Sequence, residues 1–502
     1  MQLLGYDVGS SSIKASLVNV ESGKEIASAT SPQDELSIEA PYKGWAEQDP
    51  ETWWTHIGRV TASLLEAEEA DPEAIQGIGI AYQMHGLVLV DKQQNVLRPA
   101  IIWCDGRAVE IGDKAFNDLG GSYCLEHYLN SPGNFTASKL RWVREHEPEL
   151  YSDIHKAMLP GDYIAMKLTG KVRTSISGLS EAILWDYQSG DIATELLDYY
   201  DISPELLPDH DPNFAVSGEL TPEAARQLGL RAGIPVGYRS GDQPNNALSL
   251  NVLNPGEAAA TAGTSGVIYG VTDQPLYDEL SRVNTFVHVN HDEKQARYGV
   301  LLCINGTGIL NSWLKNELFH GEYSYDEMNE RAATVDVGSE GVTVFPFGNG
   351  PERILQQQSV GAQLKNVDFN RHGPAHVIRA SQEGIAFSMN YGLQLMRQMG
   401  MDIRRIRVSR GNMFLSPVFR QAFANSTDLS VELYESSGAL GAAIGAGLGM
   451  GIYENRGEAF RGLQKTETLE PDPDLQPAYQ DAYQRWAELL DKELKNKTSS
   501  TY

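Results

Sequence analysis

Positive charge is what this chain lacks most. Its 502 residues hold 67 acidic side chains against 40 Lys and Arg, a formal net charge of −27. Such a balance repels nucleic acid and anionic membrane, so neither is expected as a partner. A polyphosphate would have to be held by local donors, helix N-termini and a metal rather than by global attraction. Cysteine is scarce as well. Cys104, Cys124 and Cys303 lie far apart, match no zinc or redox spacing, and suit a reducing cytosol. No apolar run reaches the roughly 18 residues that a membrane span needs. The nearest, Gly438 to Gly451, is too short and reads as a buried, closely packed helix. The N-terminus enters a strand pattern within two residues and shows no basic leader, so a cytoplasmic location is expected.

Several chemical motifs are missing too. The Gly-Lys pairs at 23–24 and 170–171 are followed by Glu and Val, which excludes a Walker A loop. There is no HExxH, and no GxGxxG follows a strand. His372 and His376 have ligand-like spacing, but Gly373-Pro374 between them breaks any helix, so they read as structural.

What is present begins with Leu3-Leu4-Gly5-Tyr6-Asp7-Val8-Gly9-Ser10-Ser11-Ser12-Ile13-Lys14. An apolar strand ends in a carboxylate, turns through glycine and three hydroxyls, and resumes. That turn presents backbone N–H groups, and Asp7 beside it can hold a hydrated Mg²⁺. The design returns about 250 residues later at Ala262-Gly263-Thr264-Ser265-Gly266. Either turn alone suits an ordinary solvated β-turn; together they suggest a duplicated core gripping one polyphosphate. The length also favours two domains, with a boundary near 245–255. Strands alternate with helices throughout: a three-stranded meander to residue 30, then a helix from Asp49-Pro50. A buried strand follows at 75–82, a hairpin at 87–103, and later helices near 136–147, 308–319, 375–399 and 475–495. A polar tail at 497–500 is expected to fray.

Two further clusters carry chemistry. Gly241-Asp242-Gln243-Pro244-Asn245 closes a strand, placing a carboxylate among amides that can orient and deprotonate a hydroxyl. The same Asp also suits a helix N-cap, and the two roles can coexist. Gln83-Met84-His85-Gly86 closes the 75–82 strand, at the sheet edge where α/β proteins bind ligands. Trp103-Cys104-Asp105-Gly106-Arg107 adds an aromatic floor, a carboxylate and a guanidinium, the ingredients of a polyol site.

These pieces resemble, in order and over nearly the whole chain, the FGGY family of carbohydrate kinases, and within it the xylulokinase group. Asp7 to Lys14 is similar to the family's first phosphate loop, and Gly44-Trp45-Ala46-Glu47-Gln48-Asp49-Pro50 to the segment entering its first helix. Met84-His85-Gly86 resembles the sugar-site triplet and Gly241-Asp242-Gln243 the catalytic-base motif. Gly263-Thr264-Ser265-Gly266 resembles the second phosphate loop. Phe135 to His146, with Lys139 and Trp142, resembles a family signature from which Asn134 departs. The adenosine loop departs further, reading Gly411-Asn412-Met413-Phe414-Leu415-Ser416 where small residues are usual, and Gly361 to Asn366 is an eroded later segment.

The resemblance implies a two-lobed α/β fold, ribonuclease-H-like and actin-like, with the active site in the interdomain cleft. It divides the chain into lobes at 1–247 and 248–502, with the final helix packing back on the first. It implies transfer from ATP to D-xylulose, or to another ketose or polyol such as D-ribulose or L-ribulose, and by analogy a homodimer. On that likeness Asp242 is the base, and Met84, His85, Trp103, Asp105 and Gln243 shape the sugar site. Asp7 holds Mg²⁺, while Ser11, Ser12, Lys14, Gly263 and Thr264 bind phosphate. Gly308, Trp313, Gly411, Asn412 and Ser416 line the adenosine pocket. A catalytically silent sugar or nucleotide sensor on the same fold is the reading from another class, and Asp7 together with Asp242 argues against it.

Overall fold

The computed structural model describes residues 1–350 and 352–499. It opens with the expected meander: β1 (Gln2–Val8), β2 (Ile13–Asn19) and β3 (Glu25–Ser31), paired antiparallel. Helix α1 (Pro50–Leu64) begins where Asp49 accepts a hydrogen bond from the Glu51 N–H, and Pro50 supplies the first helical position. Its period places Trp53, Ile57, Val60 and Leu64 on one face, which packs against β2 and β3. Strand β4 (Ile75–Tyr82) joins β1 in parallel, and α2 (Thr136–His146) follows. Strands β5 (Phe214–Glu219) and β6 (Pro235–Gly241), then α3 (Asp242–Ser249), complete the first half. The resulting sheet runs β5-β6-β4-β1-β2-β3.

The second half repeats this plan. Strands β7 (Glu257–Ala262), β8 (Gly266–Thr272), β9 (Asn284–Val287) and β10 (Tyr298–Ile304) form an antiparallel group. Helices α4 (Gly308–Trp313) and α5 (Pro374–Gln398) lead to β11 (Arg405–Ser409), which is parallel to β7. Then come α6 (Pro417–Thr427), β12 (Ser430–Glu435), α7 (Gly438–Gly449), β13 (Gln464–Leu469) and α8 (Gln476–Ser499). The second sheet runs β9-β10-β8-β7-β11-β12-β13. In both sheets an antiparallel group lies beside two parallel strands and an antiparallel edge strand. The core is duplicated, and the fold is the two-lobed α/β architecture.

One helix ties the lobes together. Although α7 follows the second sheet in the chain, it lies on β1, β4 and β6 of the first. Gly5 and Gly79 let it approach: a methyl on either would overlap a backbone carbonyl, that of Ala439 or of Ala442. Ala442, Ala443, Ile444 and Ala446 share a buried cluster there with Leu3, Ala81, Tyr238 and Leu248. The last helix behaves otherwise. Residues Tyr479, Trp486 and Leu490 of α8 join the core of the second lobe, against α5 and α6. The expectation that the final helix returns to the first lobe is therefore corrected; α7 makes that return. The hairpin expected at 87–103 forms without a continuous ladder, through bridges from Leu87 to Ile101 and from Val90 to Val96 and the Leu97 N–H donating to the Leu89 carbonyl. Its strand Val88–Val90 pairs with Lys156–Met158 instead. Of the tail at 497–500, the side chains beyond Lys497 lie outside the described residues.

Candidate active site

Parallel pairing decides where the chemistry gathers. Val8 of β1 and Gly241 of β6 both stand beside Tyr82 of β4, so the three strands end at one edge. Asp7, the 83–85 segment and Asp242 thereby converge on a cavity of about 540 Å³ between the lobes. Ser11, Ser12, Lys14, Met84, His85, Trp103 and Gln243 also line it, as the sequence suggested.

Asp242 is the first residue of α3, with Gly241 and not Asp242 in the cap position. Burial first, and the carboxylate of Asp7 second, push its pKa up to about 7. That value suits a group that must hold and release a proton near neutrality. The Gln243 amide donates to the Asp242 Oδ2 at 3.2 Å. Burial also raises Asp7, with Lys14 opposing it. Two carboxylates among serine hydroxyls form a hard oxygen donor set that suits Mg²⁺. Among the described residues no group of three or more His, Cys, Asp or Glu could hold a metal. A hydrated ion sharing its shell with substrate phosphates fits that count, because Mg²⁺ keeps several waters.

The facing wall is built from Met84 and His85. His85 adopts φ 61°, and its Nδ1 lies 2.9 Å from the Glu181 carbonyl, so Nδ1–H donates. Burial takes its pKa down to about 3, which keeps the ring neutral and leaves Nε2 as an acceptor. Beneath it Lys139, fully buried, donates from Nζ to the carbonyls of His85 (2.7 Å) and Ile102 (3.0 Å). The Trp103 indole, half exposed, donates to Ser10 Oγ at 3.2 Å.

Asp105 departs from expectation. It does not line the cleft. Its carboxylate accepts from the Ala46 N–H at 2.6 Å and from Arg107 Nε and Nη2, and it is wholly buried. Arg107 in turn lies over the Trp45 ring at 3.7 Å. Asp105 lies behind the cleft wall, held by Arg107 and the Ala46 N–H.

The second phosphate turn meets the expected nucleotide residues. Gly263 O accepts from the Gly308 N–H at 2.8 Å, Thr264 O accepts from the Ile309 N–H at 3.3 Å, and Thr307 Oγ1 is within 3.0 Å of both carbonyls. Asn412 lies against Gly263, and a methyl on Gly308 would overlap the Gly263 carbonyl. In this turn Ser265, not Thr264, reaches the cavity. Trp313 is half exposed. Ser416 is the other correction: its hydroxyl donates to Gln382 Oε1 at 2.8 Å and accepts from the Phe419 N–H. It is buried as the cap of α6 and is taken up by that role.

Sequence reasoning missed Phe135 as a cleft residue, and Leu301, Cys303 and Asn305. The last three alternate along the end of β10, a period-two signal that was available. Arg353 and Gln357 lie on a turn and had no local signal. A larger, open depression of about 800 Å³ lies on the outer face of the first lobe beside Trp54 and Gln227. Its cations are already paired, Lys167 with Glu51 and Arg98 with Glu147, which leaves the cleft as the site.

A cleft between two copies of one α/β core, with buried carboxylates at the strand ends, is the arrangement of a two-lobed carbohydrate kinase. The chain belongs to the FGGY family of carbohydrate kinases: the family's N-terminal domain matches residues 2–249 and its C-terminal domain residues 258–450. It is 31% identical over 446 residues to the xylulose kinase of Klebsiella pneumoniae, covering 88% of each chain. It is 32% identical over 500 residues to the L-xylulose/3-keto-L-gulonate kinase of Escherichia coli K12, covering 97% of this chain and 96% of that one. The crystal structure of xylulose kinase from Rhodospirillum rubrum superposes with a TM-score of 0.86 at 26% identity, covering 98% of this chain and 99% of that one. Kinases of this family take ATP as phosphoryl donor. No helix among the described residues is long and apolar enough to cross a membrane.

Proposed function

We propose that the protein transfers the γ-phosphoryl group of ATP to the C5 hydroxyl of D-xylulose, giving D-xylulose 5-phosphate and ADP. The observation that carries this reading is Asp242, a carboxylate with a pKa near 7 at the cleft floor, adjoining the Met84–His85 wall.

Asp242 takes the proton from the C5 hydroxyl as that oxygen bonds to the γ-phosphorus. The bond from phosphorus to the β,γ-bridging oxygen breaks, and its electron pair leaves on ADP. Phosphoryl transfer needs alignment and charge stabilisation more than covalent help. Backbone N–H groups of the Gly9–Ser12 turn, with Ser11, Ser12 and Lys14, hold phosphate oxygens. The turn at Gly263, Thr264 and Ser265 holds them from the other lobe. Gly308, Trp313, Gly411 and Asn412 accommodate the nucleoside. When bound, Mg²⁺ at Asp7 neutralises phosphate charge. The neutral His85 accepts a sugar hydroxyl through Nε2, Gln243 holds a second, and the Met84 and Trp103 side chains pack against carbon faces. Closing the lobes keeps water from the γ-phosphate. On this reading the enzyme works in the cytoplasm, where its donor is made, and the homodimer of related kinases is the assembly proposed.

ADP release from MgATP tests the proposal, with D-xylulose, L-xylulose, D-ribulose, L-ribulose, glycerol and gluconate offered singly. Strong stimulation by D-xylulose alone is expected. Preference for another member would move the substrate and keep the kinase. The relative named for L-xylulose and 3-keto-L-gulonate makes L-xylulose the informative competitor.

A further inference from the structure

Among the described residues, two cations line the cleft: Lys14 on the first phosphate turn, and Arg353 from the second lobe. Arg353 begins a short turn that is firmly held. Its neighbours Ile354 and Leu355 are buried in the second-lobe core. Glu352 before it is buried too, and its carboxylate accepts from the N–H groups of Asn305 (3.0 Å) and Gly306 (3.3 Å). The backbone that presents Arg353 is thus tied to the loop leaving β10.

The guanidinium is left short of partners. Several buried or half-buried arginines have a carboxylate: Arg107 has Asp105, Arg239 has Asp162, Arg379 has Glu383 and Arg407 has Glu432. Among the described residues Arg353 has no carboxylate within ion-pair distance, and its hydrogen bond to Ser281 O is long, at 3.4 Å. Burial lowers its pKa. Arg353 is half-buried, and the nearest carboxylate that acts on it, that of Asp113, stands beyond ion-pair distance; a partly desolvated cation that lines a cavity without a close counter-ion points to a ligand oxygen.

Its surroundings say which ligand end. Arg353 stands 5.8 Å from the Phe135 ring, and Phe135 meets His85 edge-on at 4.8 Å. On the other side of His85, Met84 packs against Gly241, which precedes Asp242. The wall therefore runs from Asp242 through Met84, His85 and Phe135 to Arg353. A sugar whose reacting hydroxyl lies at Asp242 presents its opposite end to the guanidinium.

We propose that Arg353 is a specificity-determining residue that donates, from the second lobe, to the carbonyl-bearing end of the sugar. The inference rests on the sugar-kinase reading and deepens it. A planar two-pronged donor matches adjacent oxygens, here a ketose C2 carbonyl and C1 hydroxyl, better than any single point charge does. Because Met84, His85 and Trp103 belong to the first lobe, a sugar held at both ends bridges the two.

The test compares wild type, Arg353→Met and Arg353→Lys, using D-xylulose and xylitol, which replaces the carbonyl with a hydroxyl. Sugar dissociation constants come from isothermal titration calorimetry, and KM values for sugar and MgATP come from ADP release. In Arg353→Met the sugar dissociation constant and KM should rise about tenfold or more, with MgATP KM within about twofold. The lysine variant should recover part of the loss. The preference for D-xylulose over xylitol should shrink in Arg353→Met, since only an interaction with that end couples the two changes. Unchanged sugar affinity, an equal loss for MgATP, or an unaltered xylulose-to-xylitol ratio would each overturn the assignment. Thermal unfolding is run alongside; removal of a half-buried cation that lacks a close counter-ion should leave it unchanged or raised, and a collapse there with sugar affinity intact assigns Arg353 to structure. A wild type that binds none of the panel sugars defeats the functional reading and this one together. One that binds them while Arg353→Met is unaltered defeats this one alone.

Discussion

Asp7 and Gly438 stand so close that a methyl group on the glycine would overlap the Asp7 carboxylate. Gly438 opens α7, where the Ser437 side chain accepts from the Leu440 N–H, and its carbonyl accepts from Asn245 Nδ2 at 2.8 Å. The first turn of a helix from the second half of the chain therefore abuts the carboxylate expected to hold the metal. Glycine at 438 is required by that approach.

Gly438→Ala should accordingly displace Asp7 or push back the helix. Misplacement on the order of 1 Å can cost about 100-fold in rate, and kcat should fall by that order. Steady-state ADP release at saturating sugar and MgATP reads the effect. A kcat within twofold of wild type would mean that the helix slides without consequence.

The elevated pKa of Asp242 sets a pH dependence. On the proposed mechanism Asp242 must be ionised to take the hydroxyl proton, so activity is expected to be full above its pKa of about 7 and to be lost below it. The rate should drop about tenfold per unit on the acid side. Asp242→Ala should abolish nearly all transfer while leaving sugar binding, read by isothermal titration calorimetry, largely intact. Measurable turnover in that variant with an unmoved acid limb would assign the base elsewhere.

How far the sequence carried the fold can be read from those residues. Asp7, the 84–85 pair and Asp242 were legible because each closes an apolar strand, and strand ends in a parallel sheet share an edge. The repeated turn at 263–266 gave the duplication. The return of α7 to the first lobe was not legible. Its Gly/Ala composition announced close packing, but nothing local says against which sheet. The final helix was misplaced for the same reason: Tyr479 and Trp486 mark a buried face without naming its partner. Asp105 was misread because a carboxylate beside an aromatic serves a polyol or a buried arginine equally well. Only the position of Arg107 over Trp45 separates the two.

That reading of Asp105 makes its own prediction. Asp105→Asn leaves Arg107 in a buried site with its main partner neutralised, although Glu47 still faces it at 2.7 Å. Breaking one side of a buried pair typically costs about 3–5 kcal/mol, and the retained Glu47 contact places the loss at or below the lower end of that range. Urea unfolding should show a loss of about 2–3 kcal/mol, with sugar KM changed far less than stability. A large rise in sugar KM at unchanged stability would restore Asp105 to the sugar site.

Lys139 joins both walls of the proposed sugar site, because its Nζ donates to the carbonyl of His85 and to that of Ile102, next to Trp103. It touches neither cavity nor substrate, so it is a positioning residue, and Lys139→Met should raise sugar KM about tenfold while leaving MgATP KM in place. A second readout separates this from general damage. Burial is the main cause that lowers the lysine's pKa to about 7 from its ordinary 10.5. Between those values the unfolded chain binds a proton that the folded one does not, so stability rises with pH across that window. Above 10.5 this contribution is fully present, and it falls away as pH drops through 7. Lys139→Met has no such proton, and its stability, followed by urea unfolding from pH 7 to 10, should lack the part of the slope that Lys139 contributes. Parallel wild-type and variant curves would show that Lys139 titrates like an exposed lysine. In that case Lys139 stays an ammonium to about pH 10, and the two carbonyls are held by a charged donor across the whole window.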